Sequence, residues 1–216
     1  MIKVKQKSLK EIMEAVHSYD RVLVVGCGGC ASVCLGGGQH EVDRLTTELN
    51  LFFKTELRRG QAAGFTIERQ CNPLFLEELA PVISNYDCAL SMACGAGCQY
   101  MAETYSRIPI FPAVNTVAIG IDREIGVYEE RCRACGECVV GYTGGICPVT
   151  RCAKGVFNGP CGGTNGGMCE VNPNIPCAWV DIYNRLKDQN RLDNIRKIRP
   201  IMEWQNQSQR TLVQER

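Results

Sequence analysis

The sequence predicts an α/β protein in which an N-terminal domain with a parallel sheet precedes a small cysteine- and glycine-rich module and a C-terminal helix. Up to about residue 115, short β-branched runs alternate with amphipathic stretches, which is typical of right-handed βαβ units. From about residue 128, cysteine and glycine dominate and the periodic apolar pattern fades. We therefore expect the α/β domain at 1–120, the cysteine-rich module at 121–195 and a tail at 196–216.

The N-terminal domain begins with a predicted helix. Ser8 and Glu11 form a capping pattern around Leu9, Ile12 and Val16, which recur at helical spacing. The β-branched run that follows ends in glycine and predicts a buried strand, and the fourth predicted strand contains proline, which favours a sheet edge. The predicted strands are 21–25, 64–68, 87–91 and 108–111, and the remaining predicted helices are 41–54, 74–83 and 97–105.

The cysteine-rich module is predicted to end in a helix from about residue 178 to 192. Trp179, Ile182, Tyr183 and Leu186 lie on one face of it. The tail at 196–216 mixes charged and apolar residues, and we expect either a frayed helix or an arm that docks on a partner.

Composition and charge exclude several classes of function. The 216 residues are 45% hydrophobic and carry a net charge of +1, so there is no basic footprint for nucleic acid. The N-terminus is polar and unlike a signal peptide, and no apolar run is long enough to span a bilayer. We expect a soluble, cytoplasmic protein without a nucleic-acid partner.

Cysteine is the outlier of the composition. The chain has 15 cysteines, an odd number, and no export signal. In a reducing compartment this density indicates metal ligation or redox chemistry rather than a disulfide scaffold.

The C-terminal module contains a compact triplet of cysteines. Cys132, Cys135 and Cys138 form C-x-x-C-x-x-C, the opening of the bacterial ferredoxin pattern, and Cys147 precedes a proline as a later ligand of that pattern does. Eight thiolates suit two 4Fe–4S clusters, so we expect an iron–sulfur, ferredoxin-like module. The eight are Cys132, Cys135, Cys138, Cys147, Cys152, Cys161, Cys169 and Cys177.

The assignment of these thiols leaves alternatives open. A sequential split gives the first four to one cluster and the last four to the other, whereas a ferredoxin-like crossover exchanges some of them. Zinc also takes four thiolates, although a third cysteine at the same short spacing is unusual in zinc ribbons.

Six further cysteines follow the strands of the N-terminal domain. The carboxyl ends of parallel strands meet at one sheet edge, so these thiols can converge on one site. We expect a third 4Fe–4S cluster or zinc there; a glycine-rich loop for a nucleotide or flavin phosphate and a redox-active thiol pair are alternatives. Cys88 is expected in the core, His17 on a solvated helix, and His40 is a weak ligand candidate. The six are Cys27, Cys30, Cys34, Cys71, Cys94 and Cys98.

The segment 143–163, together with 167–170 and 176–186, resembles the C-terminal module associated with methylenetetrahydrofolate reductases of acetogens and related anaerobes. The α/β half resembles the rest of the small subunit in which that module occurs. The resemblance implies a flavin-containing reductase subunit as partner, and a place in the methyl branch of acetyl-CoA synthesis. The electron donor is left open between ferredoxin, a nicotinamide enzyme and a larger electron-transfer complex.

These observations predict a non-catalytic electron-transfer subunit of an oxidoreductase complex, which relays electrons to the flavin of its partner. No acid–base pair, flavin site or folate site is evident in the sequence. A structural zinc-binding subunit of the same complex and an independent thiol/disulfide redox enzyme are the alternatives.

Overall fold

The computed structural model describes residues 1–204 and 211–213. The chain divides into two compact units, Met1–Glu129 and Glu130–Arg216. No helix within these described ranges is long and apolar enough to cross a membrane.

The first unit contains two sheets and six helices. Its strands are β1 (Ile2–Gln6), β2 (Arg21–Cys27), β3 (Gln61–Ile67), β4 (Cys88–Ser91), β5 (Ile110–Pro112), β6 (Val114–Glu124) and β7 (Val127–Cys132), the last of which crosses the boundary between the units. Its helices are α1 (Leu9–Val16), α2 (Cys30–Val33), α3 (Gln39–Thr55), α4 (Pro73–Leu76), α5 (Ala80–Ile83) and α6 (Gly95–Thr104).

Four strands form the parallel sheet that the sequence predicts, in the order β3-β2-β4-β5. The chain passes from β2 to β3 on one side and then crosses to β4 on the other, so β2 and β4 flank a topological switch point. In open α/β sheets, ligands bind beyond the carboxyl ends of the strands at this point. The proline-containing strand β5 lies at the sheet edge, as predicted.

Alternating side chains of the sheet are buried on both faces. Val22, Val24 and Leu90 face α1 and α3, whereas Leu23 and Val25 face the helices that follow β3 and β4. Ser8 caps α1 as predicted, since its Oγ accepts a hydrogen bond from the Glu11 amide. Burial on both faces explains why these strands are continuous apolar runs.

The predicted helix over 74–83 is instead three short pieces. Helix α4 is followed by a 3₁₀ turn at Glu77–Leu79 and then by α5. Pro81 lies in the first turn of α5, where its missing amide hydrogen is tolerated, but it cannot continue a preceding helix. The proline therefore divides the segment.

A second sheet, which the sequence analysis did not predict, is antiparallel in the order β1-β6-β7. Strand β1 pairs with β6 from Ile2↔Ile119 to Gln6↔Val114. Val4 is fully buried between two charged residues, Lys3 and Lys5. This alternation is the period-2 pattern of a strand with one buried face.

The second unit has little regular structure. It contains helices α7 (Pro148–Arg151) and α8 (Ala178–Asp188), a hairpin of β8 (Thr164–Asn165) and β9 (Met168–Cys169), and a 3₁₀ turn at Leu192–Arg196. Helix α8 confirms the predicted C-terminal helix, although it ends at Asp188. A ferredoxin-like arrangement of the module is not confirmed.

Two small apolar clusters form the core of the second unit. One contains Ile146, Trp179, Ile182 and Leu186. The other contains Val139, Val149 and Met202, with Phe157 and Trp204 against it. The tail is therefore in contact with its own module as far as Trp204, whereas 205–210 and 214–216 lie outside the described residues, and docking on a partner stays a prediction.

Candidate metal centres

All fifteen cysteines are free thiols. The eight cysteines of the second unit lie on loops and short elements, and none of the eight is fully buried. The module therefore holds many accessible thiols around two small apolar cores, which is the composition of a domain whose stability depends on bound metal.

The first four thiols of the module surround one cavity. Cys132, Cys135, Cys138 and Cys147 all line a cavity of about 440 Å³. Cys132 ends β7, Cys135 and Cys138 lie on the loop that follows, and Cys147 caps α7 immediately before Pro148. The sequential grouping predicted for one cluster is thus the grouping that this cavity brings together.

The triplet loop has the tight backbone that sulfur ligation favours. Ala134 and Gly136 have φ of +50° and +91°, in the left-handed region, which turns the chain between successive cysteines. The Ala134 amide donates a hydrogen bond to Cys132 Sγ at 3.3 Å. Amide hydrogen bonds to sulfur are one of the means by which proteins set cluster potentials.

The last four thiols of the module share a second neighbourhood. Cys161 and Cys177 line a cavity of about 300 Å³ together with Trp179. Cys152 and Cys177 lie against the apolar cluster around Trp179. Cys169 lies in β9, where its amide donates to the Ile175 carbonyl.

A charged pair lies beside these thiols. The Lys154 ammonium contacts the Glu170 carboxylate, and the Cys161 thiol is 3.8 Å from Glu170 Oε1. The hydrogen bond with Glu170 raises the pKa of Lys154, and nearby Cys161 and Cys169 raise it further. The lysine thus lies within electrostatic range of two of the four sulfurs.

In the first unit, four of the six predicted loop cysteines come together. The Cys71 thiol, which follows β3, interacts electrostatically with Cys94 after β4 and with Cys27 at the end of β2. Cys98, one turn into α6, interacts with Cys94 and with the Ser91 hydroxyl. Burial is the main cause that raises the pKa of both Cys71 and Cys98.

A buried polar network holds the three loops together. Gln70 and Ser91 are both fully buried, and the Ser91 hydroxyl donates to Gln70 Oε1 at 2.6 Å. Gln70 Nε2 donates in turn to the carbonyls of Val25 at 2.8 Å and Gly26 at 3.2 Å. One side chain after β3 therefore fixes the ends of β2 and β4.

Two of the six thiols lie outside this group. Cys34 is 1% exposed, and its sulfur accepts a hydrogen bond from the Val4 amide of β1 at 3.3 Å. Cys30 begins the short helix α2 and is exposed. Neither thiol is among the groups that shift the pKa of Cys71 or Cys98.

Cys88, His17 and His40 are the other residues that the sequence analysis named. Cys88 is fully buried in β4, and burial raises the pKa of its thiol to about 12. His17 ends α1, and His40 is exposed in the first turn of α3, 3.3 Å from Glu41 Oε1. The core placement expected for Cys88 agrees with its burial.

The glycines of the first loop are in contact with protein atoms. A Cβ on Gly26 would meet Thr66 and Val42, and one on Gly37 would meet the Met92 carbonyl oxygen. These glycines therefore allow close approach between loops, which is a sufficient reason for the glycine-rich sequence without a bound phosphate.

Nowhere in residues 1–204 and 211–213 do three cysteine, histidine or acidic side chains lie close enough together to hold a single metal ion. The assignment of each set to a particular metal therefore stays a prediction.

Sequence reasoning missed four polar residues of these sites: Gln70, Ser91, Lys154 and Glu170. Gln70 precedes Cys71, and Ser91 closes a predicted strand, but neither position carries a pattern that marks a buried amide or hydroxyl. Glu170 follows Cys169 directly, which was the one available signal.

One family model matches the chain, over residues 111–205, and its description is methylene-tetrahydrofolate reductase C terminal. The match covers less than half of the chain but includes all eight cysteines of the second unit. This region is therefore related to methylenetetrahydrofolate reductase, which confirms the resemblance at that level. Neither curated proteins nor solved structures give a significant match.

Proposed function

We propose that this chain is an iron–sulfur electron-transfer subunit that works with a flavin-containing methylenetetrahydrofolate reductase subunit in one-carbon metabolism. Its second unit would hold two 4Fe–4S clusters, one on Cys132, Cys135, Cys138 and Cys147. The other would lie on Cys152, Cys161, Cys169 and Cys177.

The observation that carries the proposal is the cavity ringed by four thiols. Cys132, Cys135, Cys138 and Cys147 face one space of about 440 Å³, together with the rest of the triplet loop. Four thiolates on tight loops, with an amide donating to sulfur, are the ligand set of a cubane cluster. The match over residues 111–205 supports the link to the reductase.

The residues of this chain would hold and tune the clusters. Bound clusters supply one-electron transfer, whereas the reduction of the folate substrate belongs to the flavin of the partner. The Ala134 amide donates a hydrogen bond to Cys132 Sγ, which stabilises negative charge on the sulfur and would favour the reduced form of a bound cluster. Trp179, 6% exposed, lines the cavity shared by Cys161 and Cys177 of the second set.

Metal analysis of the anaerobically purified chain tests the proposal. We expect a brown protein with at least about eight irons and eight acid-labile sulfides per chain, and a paramagnetic resonance signal after reduction with dithionite. Mixed with the flavin-containing reductase, the reduced chain should reduce the flavin while its own signal disappears. A colourless protein with stoichiometric zinc would exclude electron transfer and favour a structural zinc subunit.

A further inference from the structure

We propose that the first unit holds a separate 4Fe–4S cluster on Cys27, Cys71, Cys94 and Cys98, and that Cys30 and Cys34 are not ligands. The inference deepens the proposed function, since it adds a third redox site in the part of the chain that no family match covers.

The fold places the four thiols together. Cys27 ends β2, Cys71 follows β3, and Cys94 and Cys98 lie at the start of α6 after β4. These are the carboxyl ends of three adjacent parallel strands, and β2 and β4 flank the switch point. Three loops therefore deliver four sulfurs to the position where this class of sheet binds ligands.

Buried hydrogen bonds and one close backbone contact hold the three thiol-bearing loops in place. Gln70 and Ser91 are both fully buried and connect the three loops by hydrogen bonds. Gln70 directly precedes Cys71, and the Ser91 hydroxyl interacts with Cys98. A Cβ on Gly97 would lie 2.9 Å from Cβ atoms of Ala93 and Gln70, so only glycine lets α6 approach the Cys71 loop this closely. Such supporting residues are typical of preorganised metal sites.

Four thiolates are the ligand set of a cubane cluster, which places each of them on a different iron. Cys71 interacts electrostatically with Cys27 and Cys94, and Cys98 interacts with Cys94, so the four thiols form one connected group. Zinc also takes four thiolates, at a Zn–S distance of about 2.3 Å. The iron and zinc content of the protein separates the two.

The remaining two loop cysteines are excluded by their own contacts. The Cys34 sulfur lies in the core, where the Val4 amide donates to it, and β1 covers it. Cys30 is exposed on α2 and is not among the groups that shift the pKa of Cys71 or Cys98.

Loading the site deprotonates four thiols and passes four protons to solvent as four iron–sulfur bonds form.

Alkylation of the native, reconstituted full-length chain tests the ligand set without any substitution. Cys71 and Cys30 are both exposed thiols on neighbouring loops, so they form a matched pair. With iron and sulfide bound, we expect iodoacetamide to label Cys30 but not Cys71, and after chelation of the iron to label both. Equal labelling of the two in the loaded chain would overturn the proposal.

Iron counts of variants give the second test. We expect about twelve irons per chain in the wild type and about eight in both Cys71→Ser and Cys94→Ser, with Cys30→Ser unchanged. Wild-type iron in both loop variants, or one zinc that Cys71→Ser loses, would overturn the inference. Cys135→Ser reports on the proposed function separately. If Cys135→Ser keeps the wild-type iron count while Cys71→Ser and Cys94→Ser lose iron, the proposed function fails and the third site stands.

Discussion

At the scale of single residues, charge beside the thiols is the feature with the most direct consequence. Lys154 and Glu170 contact each other next to Cys161, so the sulfurs of the second set experience a balanced pair of opposite charges. Cluster potentials depend on the net charge and hydrogen bonds around the sulfurs. Removing one member of the pair therefore unbalances the local field.

We expect Lys154→Gln to make the potential of the second cluster more negative, because the added electron loses a nearby positive charge. Glu170→Gln should shift it in the opposite direction, since Lys154 then acts uncompensated. A redox titration followed by paramagnetic resonance measures both shifts. Lys187→Gln, an exposed substitution in the last turn of α8, is the control. An unchanged potential in both pair variants would show that the pair does not act on a cluster.

Cys88 gives a second prediction at this scale. With a thiol pKa of about 12, only about one in ten thousand molecules carries a thiolate there at pH 8. We expect mass spectrometry after iodoacetamide treatment at pH 8 to find Cys88 unmodified in the native chain. Labelling of Cys88 at the rate of exposed Cys30 would contradict its placement in the core.

At the scale of elements, the contact between α6 and the loop after β3 depends on a missing side chain. Gly97→Ala would bring a Cβ within 2.9 Å of Ala93 and Gln70, and overpacking of this kind costs about 1–3 kcal/mol in the free energy of unfolding. Gly95→Ala, in the same helix, meets no atom closer than 3.6 Å. Urea unfolding should therefore separate the two variants, and equal midpoints would show that α6 does not need the close approach.

The elements differ in how well the sequence predicts them. The buried strands around Leu23 and Leu90 are continuous apolar runs, so their position and parallel arrangement could be predicted. Strand β1 alternates Lys3, Val4 and Lys5, and such short polar segments acquire their structure from a partner far along the chain. The predicted helix over 74–83 is divided at Pro81. A proline is tolerated in the first turn of a helix, so the sequence alone did not show that a new helix begins there.

The sequence predicted which cysteines belong to the candidate sites but not the directions in which their side chains point. Cysteine spacing and the βαβ pattern identified the thiols, because both are properties of the sequence order. They could not show that Cys34 turns toward Val4 while Cys71 turns toward Cys94, since side-chain direction depends on tertiary contacts. For the same reason Gln70, an ordinary polar residue in the sequence, was not recognised as the support of three loops.

At the scale of the whole molecule, the two units differ in their source of stability. The sheet of the first unit has extensive apolar clusters on both faces, whereas the second unit has two clusters of four and three buried residues. A domain with so little buried apolar surface needs a further source of stability, which bound metal supplies in many small domains.

We therefore expect chelation of iron to unfold the second unit while the parallel sheet of the first unit stays folded. Hydrogen exchange measured by mass spectrometry should show loss of protection in α8 and retention in β2 and β4. The same comparison on the loaded chain gives the reference. Protection of α8 in the iron-free chain would show that its apolar cluster is sufficient by itself.

The pairing of β1 with β6 has a consequence for biosynthesis. Strand β1, Ile2–Gln6, is synthesised well before β6, Val114–Glu124, the strand with which it pairs. Closing a loop of that length is slow compared with the local βαβ contacts between them. The parallel sheet and its thiol loops can therefore assemble during translation, while the N-terminal strand completes the first unit only afterwards.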